Sequence, residues 1–418
     1  MKYSILTFGC RVNQADSFEL ERELQTRGDT RSTPDVADLV VVNTCSVTSA
    51  ADQAARHAIR HVARLNARAR IVATGCYATR QPLDLASLPG VVRVLGNDGK
   101  DAFVAAMASV PGQVLEPGVP GAAPAAPGPG AGGRTAYPLR VQTGCDERCR
   151  YCIVPSTRGP SRSRPFDQVL ARVRRLVACG YKEVWLTGVH LGSYGRDLSP
   201  ACSLVDLLRA LDRLPGDLSL RISSLEPMDC TSGIVDAVAR SGRFLPHLHL
   251  PMQHASDRVL AAMGRPYAFE TCRRLFDRVR ERMPDAAIGT DVIVGFPGET
   301  EADFDALADY VRESPLTHLH VFPYSDRPGT DAVRLRPKVE AAAIRRRARR
   351  LRETARTLGA RFAERQLGSV RPGLTLEDGS LVLTDNYLKV RIGPGRLRNE
   401  RVGVRLVSNG PLRGEVVA

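Results

Sequence analysis

The sequence predicts an α/β protein built from a doubly wound parallel sheet, a partial (βα)6 barrel and a small C-terminal β-barrel. Apolar strand-like runs alternate with helical periodicity in the first hundred residues, and again six times after residue 134. The intervening stretch is rich in Pro and Gly and offers almost no side chain to bury. After residue 367 the pattern changes to short alternating segments, which are typical of a small barrel.

These observations divide the chain into four segments. The doubly wound sheet is expected over 1–110, a flexible linker over 111–133, the (βα)6 segment over 134–366 and the C-terminal barrel over 367–418. A chain of 418 residues is long enough for about three folded domains, so this division agrees with its length.

A cysteine follows each predicted strand of the first segment. The strands are expected at 3–8, 38–42 and 70–73, and the cysteines are Cys10, Cys45 and Cys76. Because the carboxyl ends of parallel strands line the ligand crevice of such sheets, we expect these thiols to converge into a three-thiolate site. The alternative is three unrelated buried cysteines, since Cys is among the most buried residue types.

A second group of three cysteines lies in one short loop, GCDERCRYC, after the first predicted strand of the (βα)6 segment. The spacing of Cys145, Cys149 and Cys152 lets three thiolates hold three corners of a 4Fe–4S cube and leaves one iron open for chemistry. The alternatives are a zinc site and a purely structural cluster. Zinc normally takes four ligands, and no fourth Cys or His lies close in sequence. The remaining four cysteines lack ligand spacing and are excluded: Cys179, Cys202, Cys230 and Cys272.

The other strand ends of the (βα)6 segment are rich in small and polar residues, as expected where a parallel barrel binds its ligand. Glycine allows close approach of a ligand, whereas Ser, Glu and Gln can bind amine, carboxylate and hydroxyl groups. The candidates are Thr187, Gly188, Ser223, Ser224, Glu226 and Gln253. Taken singly each is weak, because such a glycine is often only a turn. His247 and His249 alternate within a predicted strand and are expected to be packed or hydrogen-bonded.

Charge and hydropathy restrict the function further. The formal net charge of +14 favours a polyanionic partner such as nucleic acid. No run of 18 apolar residues occurs, and the N-terminal sequence lacks the apolar stretch of a signal peptide, so we expect a cytoplasmic protein with no membrane partner. An arginine-rich helix is predicted over 341–367, and its charges are either solvated or bind phosphate.

Several longer motifs resemble the radical S-adenosylmethionine methylthiotransferases, and within them the threonylcarbamoyladenosine tRNA branch. They are GCRVNQ from Gly9, GCDERCRYCIVPSTRGPSRSRP from Gly144, LTGVHLGSYGRDL from Leu186, RISSLEP from Arg221, IGTDVIVGFPGETEADF from Ile288 and HVFPYSDRPGT from His320. The C-terminal segment resembles the RNA-binding TRAM domain, most clearly at DNYLKV from Asp385. The resemblance covers nearly the whole chain and identifies the (βα)6 segment as a radical-SAM barrel.

The resemblance implies two 4Fe–4S clusters and S-adenosylmethionine as cofactors. It assigns Cys145, Cys149 and Cys152 to the radical-generating cluster, whose open iron chelates S-adenosylmethionine. It assigns the three cysteines of the first segment, Cys10, Cys45 and Cys76, to an auxiliary cluster that presents sulfur. It adds Tyr151, beside the adenosyl group, and Val294 to the cofactor-binding candidates.

The implied reaction places a methylthio group on carbon 2 of N6-threonylcarbamoyladenosine next to the anticodon of tRNA. The implied partners are tRNA and a reducing electron donor, and we expect a monomer. His254 and Ala255 stand where many tRNA-modifying relatives have Ser-Gly. Methylthiolation of a ribosomal-protein aspartate therefore stays an alternative. Methylthiolation of isopentenyladenosine in tRNA is a further alternative. A non-catalytic, zinc-containing RNA-binding protein is the alternative from a different class.

Overall fold

The computed structural model describes residues 1–103 and 128–417. Most of the predicted linker, 111–133, lies outside the described residues, and the segment boundaries stay predictions. The chain divides into two compact units. The first comprises Met1–Gly128, Thr143–Glu147 and Cys152–Arg162, and the second comprises Pro129–Gln142, Arg148–Tyr151 and Ser163–Ala418.

The first unit contains the predicted doubly wound sheet. Five parallel strands lie in the order β2-β1-β3-β4-β5: β1 (Lys2–Thr7), β2 (Thr30–Arg31), β3 (Leu39–Thr44), β4 (Arg70–Gly75) and β5 (Val91–Leu95). Its helices are α1 (Arg11–Thr26), α2 (Ser49–Leu65), α3 (Cys76–Arg80) and α4 (Pro82–Ala86), with the short α5 (Val154–Arg158) contributed by a later part of the chain. Two strands, β2 and β5, were not expected from the sequence.

The two faces of this sheet are covered by different helices. Leu20 and Leu24 of α1 pack on one face with Leu39 of β3. Ile59 of α2 packs on the other face with Val40. All six residues of β3 are buried, as in central strands covered on both sides.

The second unit contains six parallel strands in the expected positions. They are β6 (Tyr137–Arg140), β9 (Glu183–Thr187), β10 (Ser219–Ile222), β11 (His247–His249), β12 (Ala287–Val294) and β13 (His318–Pro323). The strands form two triplets, β6-β9-β10 and β11-β12-β13, and an isolated parallel bridge links Leu220 of β10 to Phe244, three residues before β11. Two short strands, β7 (Gln142–Thr143) and β8 (Arg162–Ser163), border the cysteine loop in sequence.

Helices connect these strands, as a partial (βα)6 barrel requires. They are α6 (Phe166–Ala178), α7 (Leu204–Asp212), α8 (Ser232–Arg240), α9 (Asp257–Met263), α10 (Phe269–Arg282), α11 (Glu301–Glu313) and the long α12 (Ala341–Arg365). Capping boxes start α7 at Ser203 and α11 at Thr300. In each box the cap hydroxyl accepts from the backbone N–H of an Asp three residues later, and that Asp side chain accepts from the backbone N–H of the cap residue. None of the helices in the described part of the chain is long and apolar enough to cross a membrane.

The C-terminal part of the second unit is a closed five-stranded barrel. Its strands are β14 (Val370–Leu376), β15 (Leu381–Thr384), β16 (Lys389–Arg391), β17 (Arg401–Asn409) and β18 (Leu412–Val417), in the order β14-β15-β16-β18-β17. Buried Val382, Val390 and Val404 form its core. The alternating pattern predicts strands over 381–384, 387–392 and 402–407. It misses β14 because Pro372 and Gly373 interrupt this strand and normally indicate a turn.

Candidate functional site

The first unit brings three strand-end cysteines to one edge of its parallel sheet. Cys10 follows β1 and forms the N-cap of α1, Cys45 follows β3 directly, and Cys76 follows β4 as the first residue of α3. Strands β1, β3 and β4 are neighbours, so their carboxyl ends meet. Gly9 has φ +92, and a Cβ there would lie 2.5 Å from the Cys45 sulfur. The chain therefore packs the segment before Cys10 directly against Cys45.

The three thiols differ in burial and in their electrostatic surroundings. Cys10 is exposed, whereas Cys45 and Cys76 are buried. Burial raises the pKa of Cys45 to about 11, and negative charge on Cys10 and Cys76 acts in the same direction. Burial also raises the pKa of Cys76, but the cations Arg158 and Lys100 outweigh it, and the net shift of that pKa is downward.

A buried cluster of charges supports this edge of the sheet. Asp16 of α1 accepts from Lys100 Nζ at 2.7 Å and from Arg158 Nη2 at 2.9 Å. All three side chains are at most 3% exposed. The cluster carries one net positive charge, and both cations act on Cys76. Asn97 also contacts this thiol, with its Nδ2 3.6 Å from the sulfur.

This donor set fits an iron–sulfur cluster. Three thiols at adjoining strand ends supply the ligands that iron–sulfur clusters prefer. Nearby cations stabilise thiolates, and hydrogen bonds to sulfur are among the ways in which proteins adjust cluster potentials. Sequence reasoning missed Lys100, Asn97 and Arg158, because none of them belongs to a pattern of spaced ligands.

The second group of cysteines lies in the loop between β7 and α5. The Cys145 N–H donates to the Gly159 carbonyl at 3.1 Å, which fixes the start of the loop. Gly144 has φ +73, and a Cβ at this position would overlap the Pro160 carbonyl, so a larger residue does not fit. Cys145 and Cys152 belong to the first compact unit, whereas Cys149 belongs to the second.

Arg265 organises the part of the loop that belongs to the second unit. Its Nη1 lies 3.0 Å from the Cys149 sulfur and 3.5 Å from the Tyr151 hydroxyl. Its Nη2 donates to Glu226 Oε2, and its Nε donates to the Tyr267 hydroxyl at 3.1 Å. The guanidinium is 2% exposed, so these contacts hold it in one position. No sequence pattern had indicated this arginine.

Tyr151 packs against an apolar cluster at the ends of the barrel strands. The cluster includes Val259, Met263, Ile293 and Phe296. The loop residue next to the third cysteine is thus seated on the carboxyl end of β12. This agrees with the expectation that ligands bind at this end of a parallel barrel.

Several predicted cofactor-binding residues lie at the expected strand ends, although their assignment remains a prediction. Ser223 is buried, and its Oγ has no hydrogen-bond partner, which fits a site that awaits a polar ligand. Gly188 leaves no room for a Cβ, which would lie 2.8 Å from Gln142 Oε1. Thr187 and Val294 are buried, whereas Ser224 is exposed.

Two further candidates have well-defined roles in the fold. Glu226 pairs with Arg265, and its pKa is raised because burial outweighs the effect of that cation. Gln253 is buried and has φ +66, an uncommon conformation that clusters at functional sites. Its N–H donates to the Asp291 carbonyl at 2.9 Å and its carbonyl accepts from the Ile293 N–H at 2.9 Å, which fixes it beside β12.

Two family models match the chain. One is described as the radical SAM superfamily and matches residues 139–311. The other is described as uncharacterized protein family UPF0004 and matches residues 2–96. The first match covers the cysteine loop and strands β9 to β12, and the second covers Cys10, Cys45 and Cys76.

Curated relatives align over most of the chain. The threonylcarbamoyladenosine tRNA methylthiotransferase MtaB of Thermotoga maritima is 37% identical over 378 residues, covering 88% of this chain and 85% of its own. The enzyme of the same name from Aquifex aeolicus is 34% identical over 411 residues, covering 94% and 96%. A tRNA-2-methylthio-N(6)-dimethylallyladenosine synthase of Sphingopyxis alaskensis is 34% identical over 429 residues, covering 98% and 96%.

A solved structure shares the fold. The radical S-adenosylmethionine methyltransferase TsrM from Kitasatospora setae, with cobalamin and a 4Fe–4S cluster bound, matches with a TM-score of 0.55. The match covers 79% of this chain and 76% of TsrM, at 18% identity. At this identity the likeness concerns the fold alone.

Proposed function

This chain belongs to the radical S-adenosylmethionine methylthiotransferases, and on that basis we propose which of its six site cysteines bind each of two iron–sulfur clusters. Cys145, Cys149 and Cys152 hold the radical-generating cluster, and the three strand-end cysteines Cys10, Cys45 and Cys76 hold the auxiliary cluster. The observation that carries this proposal is the meeting of those three strand ends at one edge of the sheet, beside buried cations.

The enzyme transfers a methylthio group to carbon 2 of N6-threonylcarbamoyladenosine in tRNA. Its cofactors are 4Fe–4S clusters and S-adenosylmethionine, which when bound supply radical hydrogen abstraction at an unreactive C–H bond together with the sulfur and the methyl group. The protein contributes binding, orientation and electrostatics. The target base must leave its stack to reach a site at the strand ends, which single-stranded anticodon loops allow.

The described side chains support a division of tasks around the cofactor. Arg265 contacts both Cys149 and Tyr151, so it orients a cluster ligand and the tyrosine proposed to lie beside the adenosyl group. Ser223 offers a buried hydroxyl with an unmet hydrogen-bond capacity. Glu226 offers a carboxylate that is already oriented by Arg265. These groups suit the amine, carboxylate and ribose of S-adenosylmethionine.

Methylthiolation of dimethylallyladenosine is the second candidate, because relatives of that name also align over nearly the whole chain. The ribosomal-protein alternative rested on His254 and Ala255. His254 is fully buried and its Nδ1 accepts from the Ser256 N–H at 3.0 Å. This supports a packing role for His254, so its presence does not favour a protein substrate.

The tRNA partner is supported by the basic balance of the chain, +14 at neutral pH. We propose that a reducing electron donor serves the clusters, that the enzyme works in the cytoplasm with its tRNA, and that it acts as a monomer. Binding to tRNA should weaken steeply with rising salt because phosphate contacts release counterions. An affinity that does not change with salt would contradict the proposed phosphate contacts.

Anaerobic reconstitution tests the assignment of the cysteines. Iron and acid-labile sulfide should correspond to two clusters in the wild type and to one in either the Cys10→Ala or the Cys149→Ala variant. The Cys149→Ala protein should release no 5'-deoxyadenosine from S-adenosylmethionine. The Cys10→Ala protein should still release it, but should add no methylthio group to tRNA. Stoichiometric zinc without iron in anaerobic wild-type protein would instead support a non-catalytic RNA-binding protein.

A further inference from the structure

A carboxylate held between two imidazoles lies on neighbouring strands of the second unit. Asp291 is on β12, His249 on β11 and His320 on β13. The single oxygen Asp291 Oδ1 lies 2.9 Å from His249 Nε2 and 3.0 Å from His320 Nδ1. Burial raises the pKa of Asp291, but the two imidazoles outweigh it and hold that pKa well below its usual range. None of the roles assigned so far uses this cluster.

The cluster adjoins the expected cofactor site along one strand. Alternate residues of a strand share a face, so Gly289, Asp291 and Ile293 lie on the same face of β12. Ile293 belongs to the apolar cluster that holds Tyr151 of the cysteine loop. Asp291 is two residues away, about 7 Å along the strand. A substituent of amino-acid size on a base near Tyr151 can span this distance.

The imidazoles are arranged so that His320 faces outward. Its side chain is 60% exposed, compared with 12% for His249 and 23% for Asp291. His249 therefore supports Asp291 from within, and Asp291 fixes the Nδ1 edge of His320. Gly289 makes this packing possible, because a Cβ there would lie 2.7 Å from His249 Nδ1 and would overlap the ring of His318.

We propose that His320, oriented by Asp291 and His249, binds the carboxylate of the threonylcarbamoyl group on the substrate base. The proposal rests on the proposed function and names the residue that makes it specific. An imidazolium between two carboxylates is stabilised by both, so arrival of the substrate carboxylate favours the charged form of His320. A dimethylallyl group would cover the same polar side chains without offering them a hydrogen bond, which is unfavourable.

A divalent metal is the other ligand that this trio of donors could take, since two histidines and one carboxylate form a common metal site. The exposure of His320 favours the organic ligand, because its side chain is 60% exposed and can reach a group that arrives from solvent. The two N···O distances of 2.9 Å and 3.0 Å suit hydrogen bonds and neighbouring metal ligands alike, so metal analysis separates the two. The Nε2 side of the His320 ring lies opposite the Nδ1 that faces Asp291.

Equilibrium binding of anticodon stem-loops tests the proposal. Three synthetic stem-loops differ only in the base next to the anticodon: threonylcarbamoyladenosine, unmodified adenosine or dimethylallyladenosine. Fluorescence anisotropy with reconstituted holoenzyme and S-adenosylmethionine gives the three affinities. The wild type should prefer the threonylcarbamoyl stem-loop over the unmodified one by about tenfold or more, as expected for a hydrogen bond between charged groups. His320→Ala should reduce that preference to about twofold or less.

Phe322→Ala is the matched control. Phe322 lies two residues further along the same face of β13 and is also partly exposed, at 37%. Its loss should change the affinity for all stem-loops alike and leave their ratio intact. Asp291→Asn, which keeps the size of the side chain but removes its charge, should lower the ratio by a smaller factor than His320→Ala.

Three outcomes would overturn the proposal. The first is a His320→Ala protein that keeps the wild-type preference for the threonylcarbamoyl stem-loop over the unmodified one. If the wild type also methylthiolates threonylcarbamoyl tRNA, this result leaves the proposed function intact. The second is a stoichiometric non-cluster metal in the wild type that His320→Ala removes, which would identify a metal site. The third is a wild-type enzyme that does not methylthiolate threonylcarbamoyl tRNA, which would overturn the proposed function as well.

Discussion

Single charges decide the electrostatic environment of the three strand-end cysteines Cys10, Cys45 and Cys76. Arg158 and Lys100 share Asp16, and the surplus positive charge lowers the pKa of Cys76 against the effect of burial. The chain has 59 Lys and Arg residues, so the sequence could not indicate which two of them reach this site. The cysteines themselves were predictable because each follows a strand of a parallel sheet.

Replacing Arg158 by Met should make the auxiliary cluster harder to reduce. Loss of a buried positive charge near a thiolate-ligated cluster disfavours the added electron, and the reduction potential should fall by on the order of 100 mV. The measurement is a redox titration followed by electron paramagnetic resonance. A background in which the Cys145, Cys149 and Cys152 thiols are replaced by Ala leaves only the auxiliary cluster visible. An unchanged potential would show that Arg158 serves packing alone.

His254 makes the free energy of unfolding depend on pH. Burial lowers its pKa to about 4, the cations Arg347 and Arg258 act in the same direction, and Asp303 opposes them. The folded pKa lies below the unfolded value of about 6.5, so the unfolded chain takes up the proton first. Neutral His254 therefore makes its full contribution to the free energy of unfolding above about pH 6.5. As the pH falls toward 4 this contribution is lost, and the free energy of unfolding decreases by up to about 3 kcal/mol.

Urea unfolding at pH 7.5 and pH 5.5 checks this term. The wild type should lose more stability between the two conditions than a His254→Asn variant, since Asn does not titrate. Acid-sensitive iron–sulfur clusters are present in both proteins, so their contribution cancels when the two losses of unfolding free energy are compared. Equal losses in both would contradict a buried neutral imidazole at this position.

At the scale of elements, the sequence predicted most strands and helices of the two parallel folds. Hydrophobic runs predict strands over 183–187 and 287–294, which are the observed bounds of β9 and β12. Periodicity predicts helices over 166–178 and 269–282, which are the observed bounds of α6 and α10. The C-terminal barrel was predicted as a class, but β14 and β18 were missed. Both contain glycines that fit close backbone contacts, such as Gly414, where a Cβ would lie 2.9 Å from the Arg405 carbonyl oxygen. Such contacts depend on the tertiary fold.

The arginines of α12 illustrate what periodicity leaves open. The sequence allowed them either to be solvated or to bind phosphate. In the structure Arg347 is buried and binds Glu299 at 2.8 Å and Glu301 at 2.7 Å. Arg350 pairs with Asp305 at 2.7 Å, and Arg346 pairs with Glu301 at 3.4 Å. Several of the charges therefore attach α12 to α11 and the turn before it.

Arg347→Met should destabilise the second unit strongly. Glu299, whose side chain is fully buried, would lose its partner, and breaking such a pair costs about 3–5 kcal/mol. The exposed Arg349 on the same helix is the control, since its replacement by Met should cost about 0.5 kcal/mol or less. Thermal unfolding followed by circular dichroism compares the two variants. Equal midpoints would contradict a structural role for the Arg347 pairs.

At the scale of the whole molecule, two cysteine triads and a closed five-stranded barrel occur in one chain. The closed barrel is fixed to the (βα)6 strands by Arg221, which is fully buried and donates to the Thr384 carbonyl at 2.6 Å and the Asp385 carbonyl at 2.7 Å. Glu183 holds the same guanidinium at 3.0 Å. The barrel, Cys149 and the predicted cofactor-binding residues therefore belong to one compact unit.

Mass spectrometry of tRNA nucleosides from a strain lacking this protein tests the central claim most directly. The account predicts that 2-methylthio-N6-threonylcarbamoyladenosine disappears while N6-threonylcarbamoyladenosine accumulates. The wild-type gene should restore the methylthio nucleoside, and neither Cys10→Ala nor Cys149→Ala should do so. Persistence of that nucleoside in the deletion strain, or its restoration by the Cys10→Ala variant, would contradict the account.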